Sequence, residues 1–276
     1  MSPTMSRTIV PREPAIEALT AVWASVHRLA GSLTDDQWKH PSTLPGWSVG
    51  DIVTHVFTTE LMLLGDPEPV VEADVSAYPH VRNDIAAMNE RWLVHYRAQG
   101  RATTMADFAD TIKRRSAALD ATTQDDFDAD SFTPAGPDTY GRFMRIRVFD
   151  CWMHELDVRD TLGLPAPDDA VSALFAADEI TQSLPYLVGK KAGAPTGSRV
   201  RFDITGLTPR TVNIAVDGRA AVVPEFAAEP TLVLSLDIAD LARLIGGRTS
   251  ADPSAVEVTG DPDLADAVLG NLAFTI

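Results

Sequence analysis

The sequence predicts a two-domain α+β protein: a four-helix bundle over residues 1–163, then a small α+β domain over residues 170–276. Three observations predict it. Apolar residues recur at helical spacing through the first 163 residues. The stretch Leu164-Pro165-Ala166-Pro167-Asp168-Asp169 reads as a linker. Beyond it the pattern changes to short alternating runs and turn residues. A chain of 276 residues, 45% hydrophobic and 22% charged, has a globular composition and suffices for about two ordinary domains.

The first helix is expected from about Glu13 to Leu33, with Ile16, Leu19, Val22, Trp23, Val26 and Leu29 at steps of three and four. Pro14 suits a first turn and Gly31 an exit. Pro41 to Gly46 is a turn-rich connector. A second helix is expected from Ser48 to Leu64. Ser48 serves as N-cap, Asp51 sits three residues on, and Val49, Ile52, Val53, Val56 and Phe57 form its apolar stripe. Residues 65–80 read as a loop, 81–98 as a third helix and 105–122 as a further helical segment. The last helix of the bundle is expected from Tyr140 to Leu162, closed by Gly163. In the second domain a helix over 170–184 should end at Pro185. Strand patterns follow at 200–204, 211–216, 220–223, 231–236 and 256–259, with Asp217-Gly218 as a type I′ hairpin signal. Asp237 opens one short helix ending at Gly246-Gly247, and Asp261-Pro262 opens another.

Composition excludes some functions. With 23 Lys+Arg against 39 Asp+Glu, the net charge is −16. That sign disfavours nucleic acid and anionic membrane surfaces as partners. The single cysteine, Cys151, rules out an intrachain disulfide and a Cys-rich zinc site. No run approaches the roughly 18 apolar residues of a membrane span, and the N-terminal residues lack the apolar core of a signal peptide. A cytoplasmic protein, monomer or homodimer, is the default expectation.

Chemistry concentrates in Phe149-Asp150-Cys151-Trp152-Met153-His154-Glu155-Leu156-Asp157. On a helix Asp150 and His154 stand one turn apart on one face, bordering the apolar stripe Ile146, Phe149, Met153 and Leu156. A carboxylate and an imidazole at the edge of a bundle core can hold a metal between helices, or make an ordinary local hydrogen bond. His55, beside Ile52 and Val56, is the best candidate for a third ligand. Two histidines and one carboxylate leave a position open, the pattern of a catalytic zinc site; nickel, iron or cobalt could use the same set.

Two strings carry a resemblance. Leu44-Pro45-Gly46-Trp47-Ser48-Val49-Gly50-Asp51-Ile52-Val53-Thr54-His55 resembles the first signature of the mycothiol-dependent maleylpyruvate isomerase family. Arg147 to Arg159, with Asp150, His154 and Asp157-Val158-Arg159, is similar to its second. The resemblance implies a DinB-like four-helix bundle followed by a domain likened to sterol-carrier proteins. It implies Zn2+ held by His55, Asp150 and His154, and mycothiol as thiol cosubstrate. The family's second signature has glutamate where this chain has Asp150, one methylene shorter. The implied activity is addition of a metal-activated thiol to a small electrophile, either cis–trans isomerisation of maleylpyruvate type or S-transfer. Two other readings stand beside it: a zinc hydrolase using metal-bound water, and a non-catalytic metal-binding module.

Other residues take supporting roles. Arg159 is the candidate catalytic residue for holding a substrate carboxylate, against an alternative in which it pairs with a neighbouring acid. Asp157 could orient His154, and Asp51 either orients His55 or serves as a helix-start charge. Cys151 reads as a small core residue, and Trp47 and Pro45 as packing at the helix entry. Arg201, Arg210, Arg219, Arg243 and Arg248 are unranked candidates for an anionic ligand.

Overall fold

The computed structural model describes residues 7–275. The chain divides into two compact units, Met1–Phe175 and Ala176–Ile276. In the first, five long helices account for most of the fold: α1 (Arg12–Ser32), α3 (Val49–Leu63), α4 (Asp84–Gln99), α5 (Arg101–Asp120) and α7 (Tyr140–Thr161). Two short helices, α2 (Asp35–Lys39) and α6 (Gln124–Asp128), lie between them. α1, α3, α5 and α7 pack as the bundle, and α4 lies against α3 and α5. Leu19 and Trp23 of α1, Ile52 and Phe57 of α3, Phe108 and Leu119 of α5, and Met144, Trp152 and Leu156 of α7 are all fully buried. At roughly 1.5–3 kcal/mol for each large apolar side chain removed from water, this core is the main force aligning α3 with α7.

Local chemistry sets where the site-bearing helices begin. Ser48 Oγ accepts the Asp51 N–H at 3.2 Å, and Asp51 Oδ2 accepts the Ser48 N–H at 2.7 Å, a complete capping box at the start of α3. Thr139 caps α7 through the Arg142 N–H at 3.0 Å. It is also the last residue of a hairpin, β1 (Asp130–Thr133) with β2 (Gly136–Thr139), that sequence periodicity did not reveal. Strands of four residues are too short to show alternation. The short α2 and α6 were also unforeseen, although both carry capping boxes, Thr34 with Gln37 and Thr123 with Asp126.

The division between units falls inside α8 (Ala170–Tyr186). The expected stop at Pro185 is corrected: the helix carries Pro185 within its last turn and continues as a π turn over Leu187–Lys191. The wider turn accommodates the disrupted hydrogen-bond ladder that a proline leaves. The second unit holds β3 (Arg199–Thr205), β4 (Arg210–Asp217), β5 (Arg219–Val223), β6 (Leu232–Asp237) and β7 (Glu257–Gly260) in one sheet of order β5-β4-β3-β6-β7. β3 and β6 are parallel and the other pairs antiparallel. Alternate residues Val200, Phe202, Ile204, Ile214, Leu232 and Leu234 are buried, and α9 (Ile238–Ile245) and α10 (Pro262–Leu269) pack on the sheet. The β4–β5 turn is centred on Gly218, with Asp217 opposite Arg219, rather than being the two-residue turn that Asp217-Gly218 predicts. Gly218 adopts φ 66°, a conformation favouring glycine. Among the described residues, no helix is long and apolar enough to cross a membrane.

Candidate metal centre

The packing of α3 on α7 brings His55, Asp150 and His154 together, with one ligand atom from each within 4.8 Å of the others. His55 Nε2 lies 3.6 Å from Asp150 Oδ2, and His154 Nε2 lies 3.5 Å from Asp150 Oδ1. Both histidines are 7% exposed. Their rings stand nearly perpendicular, 86° apart with centroids at 4.8 Å. The separations are informative. They are long for direct hydrogen bonds. In a tetrahedral site with metal–ligand distances of about 2.0–2.2 Å, neighbouring donor atoms are roughly 3.3–3.6 Å apart. Each imidazole nitrogen stands at about this separation from one oxygen of Asp150, Oδ2 for His55 and Oδ1 for His154, an arrangement that suits a carboxylate shared with both around a small divalent cation.

The surrounding residues set the state of each donor. His154 Nδ1 lies 3.0 Å from Oδ2 of Asp157, which is 1% exposed. An imidazole that donates Nδ1–H to a carboxylate leaves the Nε2 lone pair free for a cation. His55 is held below the ordinary imidazole value, because burial opposes its charge more than the Asp150 carboxylate favours it. Its Nδ1 is buried with no hydrogen-bond partner among the described residues. Burial alone would raise the Asp150 carboxyl, but Arg147 and the two imidazoles outweigh it and hold it well below the usual carboxylate range. Neutral imidazoles and an ionised carboxylate are the forms that bind metals.

Trp47 borders the donors, its ring centroid 5.2 Å from that of His55 and 6.2 Å from that of His154. Its Nε1–H donates to Glu90 Oε2 at 3.2 Å, and Glu90, 1% exposed, also takes Arg97 Nη1 at 2.6 Å. Gly46 sits at φ 80° with the His80 ring against the place a Cβ would fill. This explains the Pro-Gly-Trp turn: glycine supplies the left-handed backbone and lets His80 close over it.

Asp51 makes the capping box and pairs with Arg97 at 2.9 Å, so it is a helix-start residue and not a partner of His55. Cys151 is fully buried, with its thiol pushed up to about 12 chiefly by burial, and it is not one of the grouped donors. Arg159 lies along Glu155, with Nη2 at 2.7 Å, and donates to the Pro165 carbonyl at 3.2 Å; these partners are outside the donor group. Arg201 pairs with Asp203, Arg210 with Asp178 and Arg243 with Asp240, while Arg248 bonds the Gly246 carbonyl and Arg219 is exposed. The structure thus ties four of these five to local partners.

Sequence reasoning missed Arg147 and Glu60. Arg147, 3% exposed, donates to Asp150 and to Glu60 Oε1, the latter at 2.9 Å. The available signal was an arginine three residues before the carboxylate and a lone glutamate in the apolar run of α3.

Residues 19–159 match the family model described as the mycothiol maleylpyruvate isomerase N-terminal domain, and residues 175–267 match the C-terminal domain of the same family. The chain belongs to the mycothiol maleylpyruvate isomerase family. His55, Asp150 and His154 all fall within the N-terminal match. A solved structure of mycothiol-dependent maleylpyruvate isomerase shares the fold at TM-score 0.57 and 18% identity, over 91% of this chain and 93% of that one. A histidine-to-alanine mutant of mycothiol-dependent maleylpyruvate isomerase aligns over the same shares at TM-score 0.56 and 17% identity. No curated protein matches the chain at a significant level.

Proposed function

We propose that this family member is a zinc- and mycothiol-dependent enzyme acting on a small electrophile, with maleylpyruvate-type cis–trans isomerisation as the first reaction to test and S-transfer as its close relative. The observation that carries the reading is the convergence of His55, Asp150 and His154 at metal-ligand spacing inside the family's N-terminal domain. These three residues would hold the ion. A divalent cation there supplies positive charge that favours the thiolate of a bound thiol over the thiol itself, and the thiolate is the nucleophile.

The chain's own residues prepare the site for that thiol. Asp157 fixes the His154 tautomer, so Nε2 faces the donor group. Trp47 walls the two imidazoles on one side. Cys151 offers no competing nucleophile, since it is buried and its thiol is pushed up to about 12. An external thiol is therefore required. Its thiolate adds to the cis double bond, the former double bond rotates as a single bond, and elimination restores the thiolate and releases the trans isomer. Arg159 is the proposed holder of the substrate carboxylate; this role requires it to leave Glu155, or to share it, when substrate binds.

Turnover of maleylpyruvate by the zinc-loaded full chain, with and without mycothiol, tests the reading. Isomerisation that depends on both metal and thiol is expected. Equal turnover without thiol would replace it with a hydrolytic or thiol-independent activity.

A further inference from the structure

The Asp150 side chain is 32% exposed. A free aspartate at such a position would sample several rotamers. Asp150 is not free: Arg147 Nη1, one helical turn earlier on α7, donates to Oδ2. Arg147 is in turn fixed at three further points. Its Nε donates to Glu60 Oε1 at 2.9 Å, and its Nη2 to the Val56 carbonyl at 3.0 Å and to Cys151 Sγ at 3.3 Å. Glu60, fully buried on α3, takes Arg115 Nε of α5 on its other oxygen at 2.9 Å. Arg115 Nη2 donates to the Tyr140 hydroxyl at 2.8 Å. A hydrogen-bonded chain therefore crosses α5, α3 and α7 and ends on the half-buried donor of the centre. Its two arginines and two carboxylates balance in charge, so the buried ions stabilise one another without help from a metal. Held by Arg147, the carboxylate keeps Oδ2 at 3.6 Å from His55 Nε2 and Oδ1 at 3.5 Å from His154 Nε2.

We propose that Arg147 is a positioning residue for the metal centre: by holding Oδ2 of Asp150 it fixes the carboxylate between His55 and His154, where it can share a cation with both imidazoles, and Glu60 sets the place of Arg147. The proposal rests on the metal reading above. A merely structural ion pair would alter stability and leave metal binding alone.

Zinc affinity of the full chain, measured by chelator competition, is compared for wild type, Arg147→Lys and Arg147→Met, together with the absorption bands of the cobalt-loaded proteins. Lysine keeps the charge but lacks the fork that spans Glu60 and Asp150. Both variants, checked as folded by circular dichroism, are expected to bind zinc at least about tenfold more weakly and to show shifted cobalt bands. Unchanged affinity with superimposable bands overturns the proposal, and so does tighter binding in Arg147→Met, which would show that the arginine only repels the cation. Should neither variant fold, the structure of the zinc-loaded wild type decides. Asp150 on the metal with Oδ2 still bonded to Arg147 supports the proposal, whereas Asp150 on the metal with Arg147 displaced from it overturns it. Wild-type protein that binds no zinc would refute the metal centre and this proposal together; normal zinc binding with indifferent variants refutes the role of Arg147 alone.

Discussion

The two units bury different chemistry. In the second, the sheet core is aliphatic and aromatic, with Val200, Phe202, Ile214, Leu232 and Leu234 fully buried, and its buried polar residues are few, Glu179, Ser198 and Thr208. In the first, His55, Glu60, Glu90, Arg115, Arg147, His154, Glu155 and Asp157 are all buried among the bundle helices. Removing charged groups from water costs several kcal/mol per ion unless each is paired and hydrogen-bonded. The apolar sheet shows what stability alone selects. The charged interior of the bundle is better explained by what it positions: donors from α3 and α7, and the carboxylates and guanidinium that orient them.

That contrast can be broken by substitution, and the largest expected effect is at the centre itself. His154→Ala should reduce mycothiol-dependent turnover to background with little loss of helix content by circular dichroism. Retained turnover would move the chemistry elsewhere. On the other side of the comparison, Leu234→Ala in the sheet should lower unfolding free energy by about 2–5 kcal/mol in urea titrations, with metal content per folded chain unchanged. A parallel loss of metal would show that the units are not chemically separate. Asp157→Asn preserves shape but removes the charge that holds His154 Nδ1–H, and zinc affinity by chelator competition should weaken by about 10- to 100-fold.

The smallest expected effect concerns pH. In the metal-free protein His55 sits below its ordinary value of 6.5 because it is buried. Below that value the unfolded chain takes up a proton that the folded chain resists. The contribution of His55 to stability is therefore complete above 6.5 and is lost progressively as pH falls, by at most about 1.4 kcal/mol per pH unit. Urea unfolding between about pH 7.5 and about pH 5.5 should show a shallower decline in His55→Asn than in wild type, since the largest part of the shift is the burial of this imidazole. Identical slopes would contradict this assignment.

Most of the fold was legible because its signals are local. Ser48 and Asp51 announce the start of α3, the helical spacing of Val22, Trp23 and Val26 marks α1, and Asp217-Gly218 announces a turn. The donor residues could be named from a one-turn spacing on α7 and from the two strings that resemble the family's signatures. The chain from Glu60 to Arg147 to Asp150 was not legible. It joins residues 87 positions apart, and no local pattern states which buried glutamate an arginine will meet. Arg159 illustrates the converse: its i,i+4 partner Glu155 was in plain view, and the structure places the pair together.

Metal analysis of chain purified without chelator or added metal puts the three-donor centre to its sharpest test. About one zinc ion per wild-type chain is expected, and none in His55→Ala. A wild-type chain without stoichiometric divalent metal, or a variant retaining the same content, would contradict the assignment of His55, Asp150 and His154 as a metal centre.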